Sequence, residues 1–250
     1  MRAIILAAGR GSRLKGMTDA QPKCLVELAG QPLLHWQIAA LRDAGIDEIA
    51  LVTGYKSEVL EAKGLPTRHN EDWQNTQMVA SMLCARDLMD GPVIVSYSDI
   101  VYSADAVRTL MDTPADLGIA FDRDWARQWQ ERFEDPLSDA ESFRTDGAGR
   151  LIEIGARVAS MAEPEGQFMG LMKFSPASLG WVDGIMGSDE DLKRNMDMTA
   201  MCSRLISAGK SLTAVDVTGW WCEVDDQNDL KVAEAMVADG RLVPPGDSPS

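Results

Sequence analysis

A glycine-rich loop with basic side chains follows the first apolar run of the chain. Ala3 to Leu6 has the composition of a buried strand, and Gly9, Gly11 and Arg13 come directly after it. Glycines let backbone N–H groups approach a phosphate closely. The guanidinium of Arg13 can bind two phosphate oxygens, and Lys23 adds a compact positive charge. This spacing predicts a phosphate-binding loop.

The loop differs from two well-known phosphate motifs. The dinucleotide-binding fingerprint has a glycine three positions after Gly11, where this chain has Leu14. The Walker A motif ends in Gly-Lys-Ser/Thr, and the loop has no such ending. A plain turn between strand and helix is the structural alternative, which the number of basic residues disfavours.

Three carboxylates stand where strands are expected to end. Asp99 follows the apolar run Val93 to Tyr97, and open α/β sheets bind ligands at the carboxyl ends of their strands. Glu223 and Asp225 are two residues apart in a strand-like segment, so both side chains are expected on one face. Together the three would make an oxygen-rich Mg²⁺ site. The alternative is that each carboxylate caps a turn or a helix.

Apolar runs and helical patterns alternate along the chain, and these segments must position the candidate site residues. This order indicates an α/β domain with a largely parallel sheet. The predicted strands are 3–6, 49–53, 93–97, 117–121, 168–174, 212–217 and 220–224. The predicted helices are one from Pro32 to Gly45 and others over 78–88, 177–186, 199–208 and 230–237.

One domain over residues 1–240 accounts for this pattern. Between residues 122 and 155, Trp125, Trp129 and Phe133 stand among charges without a clean period. We expect that stretch to leave the sheet as a substrate-facing excursion. Residues 241–250 contain three prolines and are expected to form a frayed tail.

Composition narrows the class of protein. The chain has 250 residues, 45% of them hydrophobic, which excludes intrinsic disorder of the whole. Its formal net charge of -15 disfavours nucleic acid as the main partner, because like charges repel. No apolar run reaches the roughly 18 residues that a membrane span needs. We therefore expect neither nucleic-acid nor membrane binding.

The cysteines and histidines are few and scattered. Four cysteines without a C-x-x-C pair fit neither a disulfide scaffold nor a structural zinc site. Two histidines leave little room for histidine-based metal chemistry. This usage predicts reduced thiols in a cytoplasmic protein.

Several segments resemble the bacterial phosphocholine cytidylyltransferase-like nucleotidyltransferases. The loop 6–14 with Pro22-Lys23 is similar to the signature of enzymes that join an NTP to a phosphorylated acceptor. Segments 75–79, 96–102 and 221–225 resemble the phosphocholine group, and segments 132–141 and 168–175 are closer to its phosphoglutamine and phosphonate branch. The resemblance reaches about residue 237. It implies a single Rossmann-like nucleotidyltransferase domain with a mixed, mostly parallel sheet and an acceptor-binding excursion.

The resemblance also implies a reaction and a set of site residues. CMP would pass from CTP to a phosphate or phosphonate oxygen of a small acceptor, with release of pyrophosphate by in-line displacement and Mg²⁺ as cofactor. Lys23, Arg13 and Asp99 would be catalytic, and Asp99, Glu223 and Asp225 would bind the metal. The implied nucleotide-binding residues are Leu6, Ala7, Ala8, Gly9, Arg10, Gly11, Ser12, Arg13, Lys23, Thr76, Gln77 and Asp99.

The acceptor is less well defined. The candidate acceptor-binding residues are Arg123, Trp125, Arg132, Lys173 and Trp221. Aromatic rings can bind a cationic head group, although packing in the core is the commoner role of a tryptophan. The choline branch has paired asparagines where Gln77 and Met78 stand, so phosphocholine, phosphoglutamine and alkylphosphonates all stay open. The family also makes a homodimer an option.

Two other functions share these features. A sugar-1-phosphate nucleotidyltransferase that uses UTP or TTP would carry the same loop, although segment 75–79 favours CTP. A non-catalytic nucleotide-binding domain would keep the fold without needing Lys23, Asp99 and Asp225 together.

Overall fold

A computed structural model of the chain describes residues 1–217 and 219–246. Its strands are β1 (Arg2–Ala7), β2 (Glu27–Leu28), β3 (Gln31–Pro32), β4 (Glu48–Thr53), β5 (Thr67–His69), β6 (Val93–Tyr97), β7 (Ile100–Tyr102), β8 (Leu117–Asp122), β9 (Glu141–Thr145), β10 (Arg150–Arg157), β11 (Gln167–Phe174), β12 (Leu212–Asp216) and β13 (Trp221–Glu223).

Nine of these strands form one mixed sheet in the order β5-β4-β1-β6-β11-β8-β12-β10-β9. The β4–β5, β1–β4, β1–β6 and β8–β12 pairs are parallel. In this sheet, within the described residues, β11 and β10 run against the common direction. The predicted α/β fold with a mixed, mostly parallel sheet is confirmed.

Helices cover both faces of the sheet. They are α1 (Leu33–Asp43), α2 (Ser57–Glu61), α3 (Met78–Cys84), α4 (Ala104–Asp112), α5 (Ala126–Arg132), α6 (Pro176–Met186), α7 (Glu190–Asn195), α8 (Met198–Ser207) and α9 (Gln227–Ala238). Short 3₁₀ helices lie at Ser12–Thr18, Lys23–Leu25, Trp73–Asn75, Arg86–Leu88 and Pro136–Ser138.

Alternate side chains of β1 enter two separate cores. Ile4 and Leu6 pack with α3, α6 and α8 on one face, whereas Ile5 packs with α1 and α4 on the other. Both faces of the strand are therefore apolar, which is why it reads as a continuous hydrophobic run. Because helices cover both faces of the sheet, a ligand can approach it at the carboxyl ends of the strands. β1 and β6 are parallel neighbours, so their carboxyl ends lie side by side there.

A small antiparallel sheet of β7 and β13 lies beside the main one. Ile100 pairs with Glu223, and the backbone N–H of Val224 donates to the carbonyl of Asp99 at 2.8 Å. These bonds fix the turn after β6 against the segment after β13. Two distant stretches of sequence, at 99 and at 225, therefore meet at one place.

Most predicted elements are present, with small shifts at their ends. The predicted helix 78–88 ends as α3 at Cys84 and continues as a 3₁₀ turn at Arg86–Leu88. The helix predicted from residue 230 begins at Gln227 because Asp226 accepts hydrogen bonds from the N–H groups of Asn228 and Asp229. The segment 220–224 forms β13 but pairs with β7 and not with the main sheet.

Of the predicted excursion over residues 122–155, the first half lies outside the sheet and the second half belongs to it. α5 and the turn at Pro136–Ser138 lie outside the sheet, whereas β9 and β10 form its far edge. Phe143 and Ile154 enter the core from these two strands. The second half therefore forms one edge of the sheet. Its alternation of apolar and polar residues is irregular, because the pairing of β10 with β9 has two register shifts.

The end of the chain is partly described. Leu242 is buried against the cluster that contains Trp36 and Val224. Residues 247–250 of the predicted tail lie outside the described residues. The division into a domain over 1–240 and a frayed tail stays a prediction. Among the described residues, the helices are too short or too polar to cross a bilayer.

Candidate active site

The side chain of Lys23 lies at the centre of the site. Its Nζ donates to Asp99 Oδ2 at 2.8 Å and also to Asp225 Oδ1, and Arg13 forms a second ion pair with Asp225. Burial by itself lowers the pKa of Lys23, but the carboxylates of Asp99 and Asp225 outweigh it and hold the pKa above its ordinary value. A buried ammonium ion thus joins the segments after β6 and β13 to the loop after β1.

Gly11 lies directly over the stem of Lys23. Its φ is +70°, and a Cβ at this position would come within 2.6 Å of Lys23 Cβ. A side chain here would be strained in its backbone and would also push the lysine away. Gly9 differs, because a Cβ there would meet nothing within 4 Å.

We expect Gly11→Ala to lower the free energy of unfolding by about 2 kcal/mol more than Gly9→Ala does, since it adds left-handed strain and a clash. Urea unfolding of the two variants measures the difference. Equal stabilities would contradict the packing of the loop on Lys23.

A cleft of about 240 Å³ opens beside Lys23 at the carboxyl ends of β1 and β6. The predicted nucleotide-binding residues that line it are Leu6, Ala8, Gly9, Gly11, Arg13, Lys23, Thr76, Gln77 and Asp99. The cleft also has Asp225 at one end. The structure therefore brings the loop, segment 76–77 and the two carboxylates together.

Three predicted nucleotide-binding residues do not line the cleft. Ala7 is buried in the core, and Ser12 is exposed. Arg10 forms an exposed ion pair with Asp19 and lies over the ring of Tyr55. A loop motif specifies which residues are near a ligand, but not which of them face it.

Five residues that line the cleft are absent from the predicted site residues. They are Trp73, Met78, Ser81, Tyr97 and Ser98. Tyr97 and Ser98 directly precede Asp99, and their position at a strand end could have indicated them. Trp73 and Ser81 carried no signal in the sequence.

A short strap formed by residues 194–196 holds the start of α3. The N–H groups of Gln77 and Val79 donate to the carbonyls of Arg194 and Met196, at 2.7 and 3.3 Å. The first N–H groups of a helix have no partner within the helix, so the strap supplies acceptors that α3 lacks. Arg194 also forms an ion pair with Asp72.

Glu223 belongs to a second charged group beside the cleft. Its carboxylate accepts from Arg132 Nη2 at 2.8 Å, and Arg132 Nε also donates to Asp229 Oδ1 at 2.8 Å. Arg132 and Asp229 are buried. Burial raises the pKa of Glu223 to about 7, although the Arg132 guanidinium opposes this shift.

This pKa gives a pH dependence of stability. In the folded protein Glu223 keeps its proton up to about pH 7, whereas the unfolded chain releases it near its ordinary value of 4.5. Glu223 therefore contributes its full stabilisation of the folded protein at pH values below its pKa in the unfolded chain. This stabilisation is lost as the pH rises through the pKa of Glu223 in the folded protein.

We therefore expect the unfolding free energy of the native sequence to fall by on the order of 2 kcal/mol more than that of Glu223→Gln between pH 5 and pH 8. Urea titrations of both proteins in EDTA test this. Parallel pH profiles would show that Arg132 keeps Glu223 ionised.

The predicted three-carboxylate metal site is not assembled as such. Within the described ranges, 1–217 and 219–246, no three His, Cys, Asp or Glu side chains are grouped closely enough to hold a metal ion. Glu223 is bonded to Arg132, whereas Asp99 and Asp225 share Lys23. Asp99 Oδ1 is buried and has no hydrogen-bond partner. Asp99 and Asp225 thus share the Lys23 ammonium ion, and one oxygen of Asp99 has no partner.

The predicted acceptor residues are spread over different places. Arg132 is beside Glu223, and its guanidinium lies over the rings of Trp129 and Phe133. Trp125 is buried against Trp129. Packing in the core is therefore the role in which the structure places Trp125.

Trp221 and Arg123 line a separate cavity of about 420 Å³. Trp221 Nε1 donates to Asp122 Oδ2 at 2.9 Å, and Arg123 forms an ion pair with Asp216. Neither residue lines the cleft that contains Lys23.

The structure does not bring Lys173 to the site. Its Nζ donates to the carbonyls of Met111 and Thr113, at 2.8 and 2.7 Å, at the end of α4. Lys173 pairs with Ile94 near the start of β6, whereas Asp99 follows the end of that strand. Its role is to cap the last carbonyls of a helix.

Comparison with known proteins gives a family and a shared fold. Residues 3–146, more than half of the chain, match the model of the MobA-like NTP transferase domain. A CTP:phosphoglutamine cytidylyltransferase from Campylobacter jejuni is 38% identical over 93% of this chain and 98% of its own. These matches confirm the resemblance that the loop and the later segments predict.

Two solved structures share the fold at lower identity. An inositol-1-phosphate CTP transferase from T. maritima has a TM-score of 0.73 and 19% identity, over 94% of both chains. A CTP:phosphocholine cytidylyltransferase from Streptococcus pneumoniae has a TM-score of 0.72 and 18% identity, over 94% of this chain and 98% of its own. At these identities the likeness concerns the fold.

Proposed function

The chain belongs to the family of MobA-like NTP transferase domains, and from that membership we propose that it is a cytidylyltransferase. It transfers CMP from CTP to a small acceptor. An oxygen of the acceptor's phosphate or phosphonate attacks the α-phosphorus, the bond to the β-phosphate oxygen breaks, and pyrophosphate leaves. The 38% identity to a cytidylyltransferase of matching length supports this proposal.

One observation carries the proposal. The buried Lys23 ammonium lies between Asp99 and Asp225, beneath a glycine loop and at the edge of the cleft. A protein that merely stored a nucleotide would need the loop but not a buried cation between two carboxylates. This arrangement suits a site that must stabilise charge on a phosphorus centre during transfer.

The residues present fit a magnesium ion. Mg²⁺ prefers oxygen ligands and is commonly held by one or two carboxylates together with substrate phosphates. Asp99 and Asp225 would hold it, and the unpaired Asp99 Oδ1 is an oxygen suited to a cation. When bound, Mg²⁺ would supply positive charge to the α-phosphate and to the acceptor oxygen. Glu223 would act indirectly, by keeping Arg132 in place.

Lys23 and the glycine-rich loop bind different phosphates of CTP. Lys23 stabilises negative charge on the α-phosphate, and Arg13 with the loop N–H groups holds the β- and γ-phosphates. Arg13 is 71% exposed at its side chain, so it can move from Asp225 to a ligand. The acceptor oxyanion is already nucleophilic at neutral pH, and no general base is required. Alignment and charge neutralisation supply the rate.

The acceptor is a small phosphate or phosphonate, with phosphocholine, phosphoglutamine and alkylphosphonates as the candidates. Lys173 has no place in its binding, because its ammonium caps α4. Arg132 donates from Nε and Nη2 to Asp229 and Glu223, so these bonds fix its guanidinium beside Glu223. A cytoplasmic location and a homodimer belong to the same proposal, and the four free cysteines support a reducing compartment.

Pyrophosphate release tests the proposal. CTP, UTP, TTP, ATP and GTP are each incubated with Mg²⁺ and a panel of small phosphates, phosphonates and sugar 1-phosphates. Release with CTP and one acceptor, lost in Asp99→Ala, supports the proposal and identifies the acceptor. Turnover with UTP or TTP and a sugar 1-phosphate would replace it with the alternative activity. Nucleotide binding without turnover on any acceptor would favour a binding domain.

A further inference from the structure

A buried amide lies behind one wall of the cleft. Asn70 follows β5 and is 5% exposed. It does not line the cleft and belongs to none of the motifs. Its side chain nevertheless contacts the segment 72–81, which forms that wall.

The orientation of the Asn70 amide is fixed by a backbone group. The N–H of Asp72 donates to Asn70 Oδ1 at 3.1 Å. A backbone N–H can only donate, so the amide oxygen must face Asp72 and the NH₂ group must face the other way. Asn70 Nδ2 then donates to Thr76 Oγ1 at 2.9 Å and to Ser81 Oγ at 3.0 Å.

These bonds give the two hydroxyl groups opposite characters. Thr76 Oγ1 donates its own proton to the carbonyl of Asp72 at 3.0 Å, so only its lone pairs are left to accept. Ser81 Oγ accepts from Asn70, and no acceptor takes its proton among residues 1–217 and 219–246. Both residues line the cleft. This wall therefore offers an acceptor at Thr76 and a donor at Ser81.

We propose that Asn70 is a positioning residue that makes the cleft select cytosine over uracil, because it sets which hydroxyl group accepts and which donates. The inference rests on the proposed function and takes the base to face this wall, because Thr76 and Gln77, two of the predicted nucleotide-binding residues, line it. Cytosine offers an amino donor at N4 and an acceptor at N3. Uracil has the reverse, an acceptor at O4 and a donor at N3. With the amino group toward Thr76 and N3 toward Ser81, this fixed polarity complements cytosine and opposes uracil held in the same orientation.

Asn70→Asp reverses the polarity at nearly constant shape. The carboxylate accepts where the NH₂ group donated, so the Ser81 proton turns toward residue 70 and a lone pair faces the cleft. We expect the ratio of kcat/KM for CTP to that for UTP to fall at least tenfold. Dissociation constants for CTP and UTP, measured by calorimetry with Mg²⁺, should shift in the same direction.

Ser81→Ala provides a second variant, because alanine is well tolerated in a helix and Asn70 is unchanged. It should weaken CTP about tenfold and leave UTP nearly unaffected, since the donor is lost. Gln74→Glu is the matched control, with the same amide-to-carboxylate change on an exposed side chain that is near in sequence but does not line the cleft. It should keep the native CTP:UTP ratio.

The outcomes separate the two proposals. If the native protein uses CTP and the Asn70→Asp and Ser81→Ala variants, folded by thermal melting, keep its CTP:UTP ratio, the role of Asn70 is overturned. If Asn70→Asp does not fold, Ser81→Ala decides alone. A native protein that neither binds nor uses CTP overturns the proposed function itself.

Discussion

A Lys23→Met variant is expected to turn over about 1000-fold more slowly than the native protein, while its dissociation constant for CTP changes less than tenfold. Methionine keeps the apolar stem that packs under Gly11 and removes the ammonium ion. In the proposed reaction the lost charge faces the α-phosphate, where negative charge develops during transfer. An interaction that strengthens in the transition state affects kcat more than binding.

Lys15→Met is the control, because Lys15 is an exposed lysine that directly follows the glycine-rich loop. It should retain turnover within about twofold, as surface substitutions usually have small effects. Steady-state pyrophosphate release and calorimetric CTP binding give the two quantities. A large loss of CTP affinity with unchanged kcat would assign Lys23 to ground-state binding. Native values for both would remove it from the site.

The second large effect is expected for Asp99→Asn. The substitution keeps the size of the side chain but removes one of the two carboxylates proposed to hold Mg²⁺. We expect kcat to fall about 1000-fold and the affinity for Mn²⁺, in the presence of a non-hydrolysable CTP analogue, to fall about 100-fold. Electron paramagnetic resonance of free Mn²⁺ measures the affinity without any turnover.

Asp90→Asn is the matched control, since Asp90 precedes β6 as Asp99 follows it. Asp90 is exposed and pairs with Arg2 at the opposite end of the strand. It should leave Mn²⁺ affinity unchanged. Equal Mn²⁺ affinities in the native and Asp99→Asn proteins would exclude Asp99 as a ligand, whatever happens to kcat.

The core strands were predictable from sequence because they are buried on both faces. Val93–Tyr97 is predicted with the same bounds that the structure has, since its apolar run ends at a serine and an aspartate. β1 is equally clear. The edge strand β9 and its neighbour β10 were missed because exposed residues interrupt their apolar pattern and their pairing shifts register.

The site was predictable where a motif marked it. The loop, Lys23 and Asp99 come together as expected, because strand ends of one sheet share an edge. Asp225 joins them through the β7–β13 pair, which its strand-like segment indicated only in part. Arg132 and Glu223 were predicted for two different roles, and the structure pairs them instead.

Long-range partners explain the remaining differences. The sequence around Lys173 has no sign of the two α4 carbonyls that its ammonium caps. The role argued for Asn70 depends on the directions of four hydrogen bonds between residues 70 and 81, and no periodicity or composition encodes such directions. Local sequence patterns predict helices and strands. The donor and acceptor roles of side chains are set when those helices and strands pack together.

The strap over α3 makes two amide hydrogens into natural reporters of opening. The N–H groups of Gln77 and Val79 are bonded to the carbonyls of Arg194 and Met196, so they exchange with deuterated water when residues 194–196 separate from α3. Gln77 also lines the cleft, so separation of residues 194–196 from α3 would change the cleft wall at this point. When reclosing is faster than chemical exchange, the protection of each amide gives the equilibrium constant for opening of the strap, and a ligand that favours the closed strap would slow both amides by the same factor.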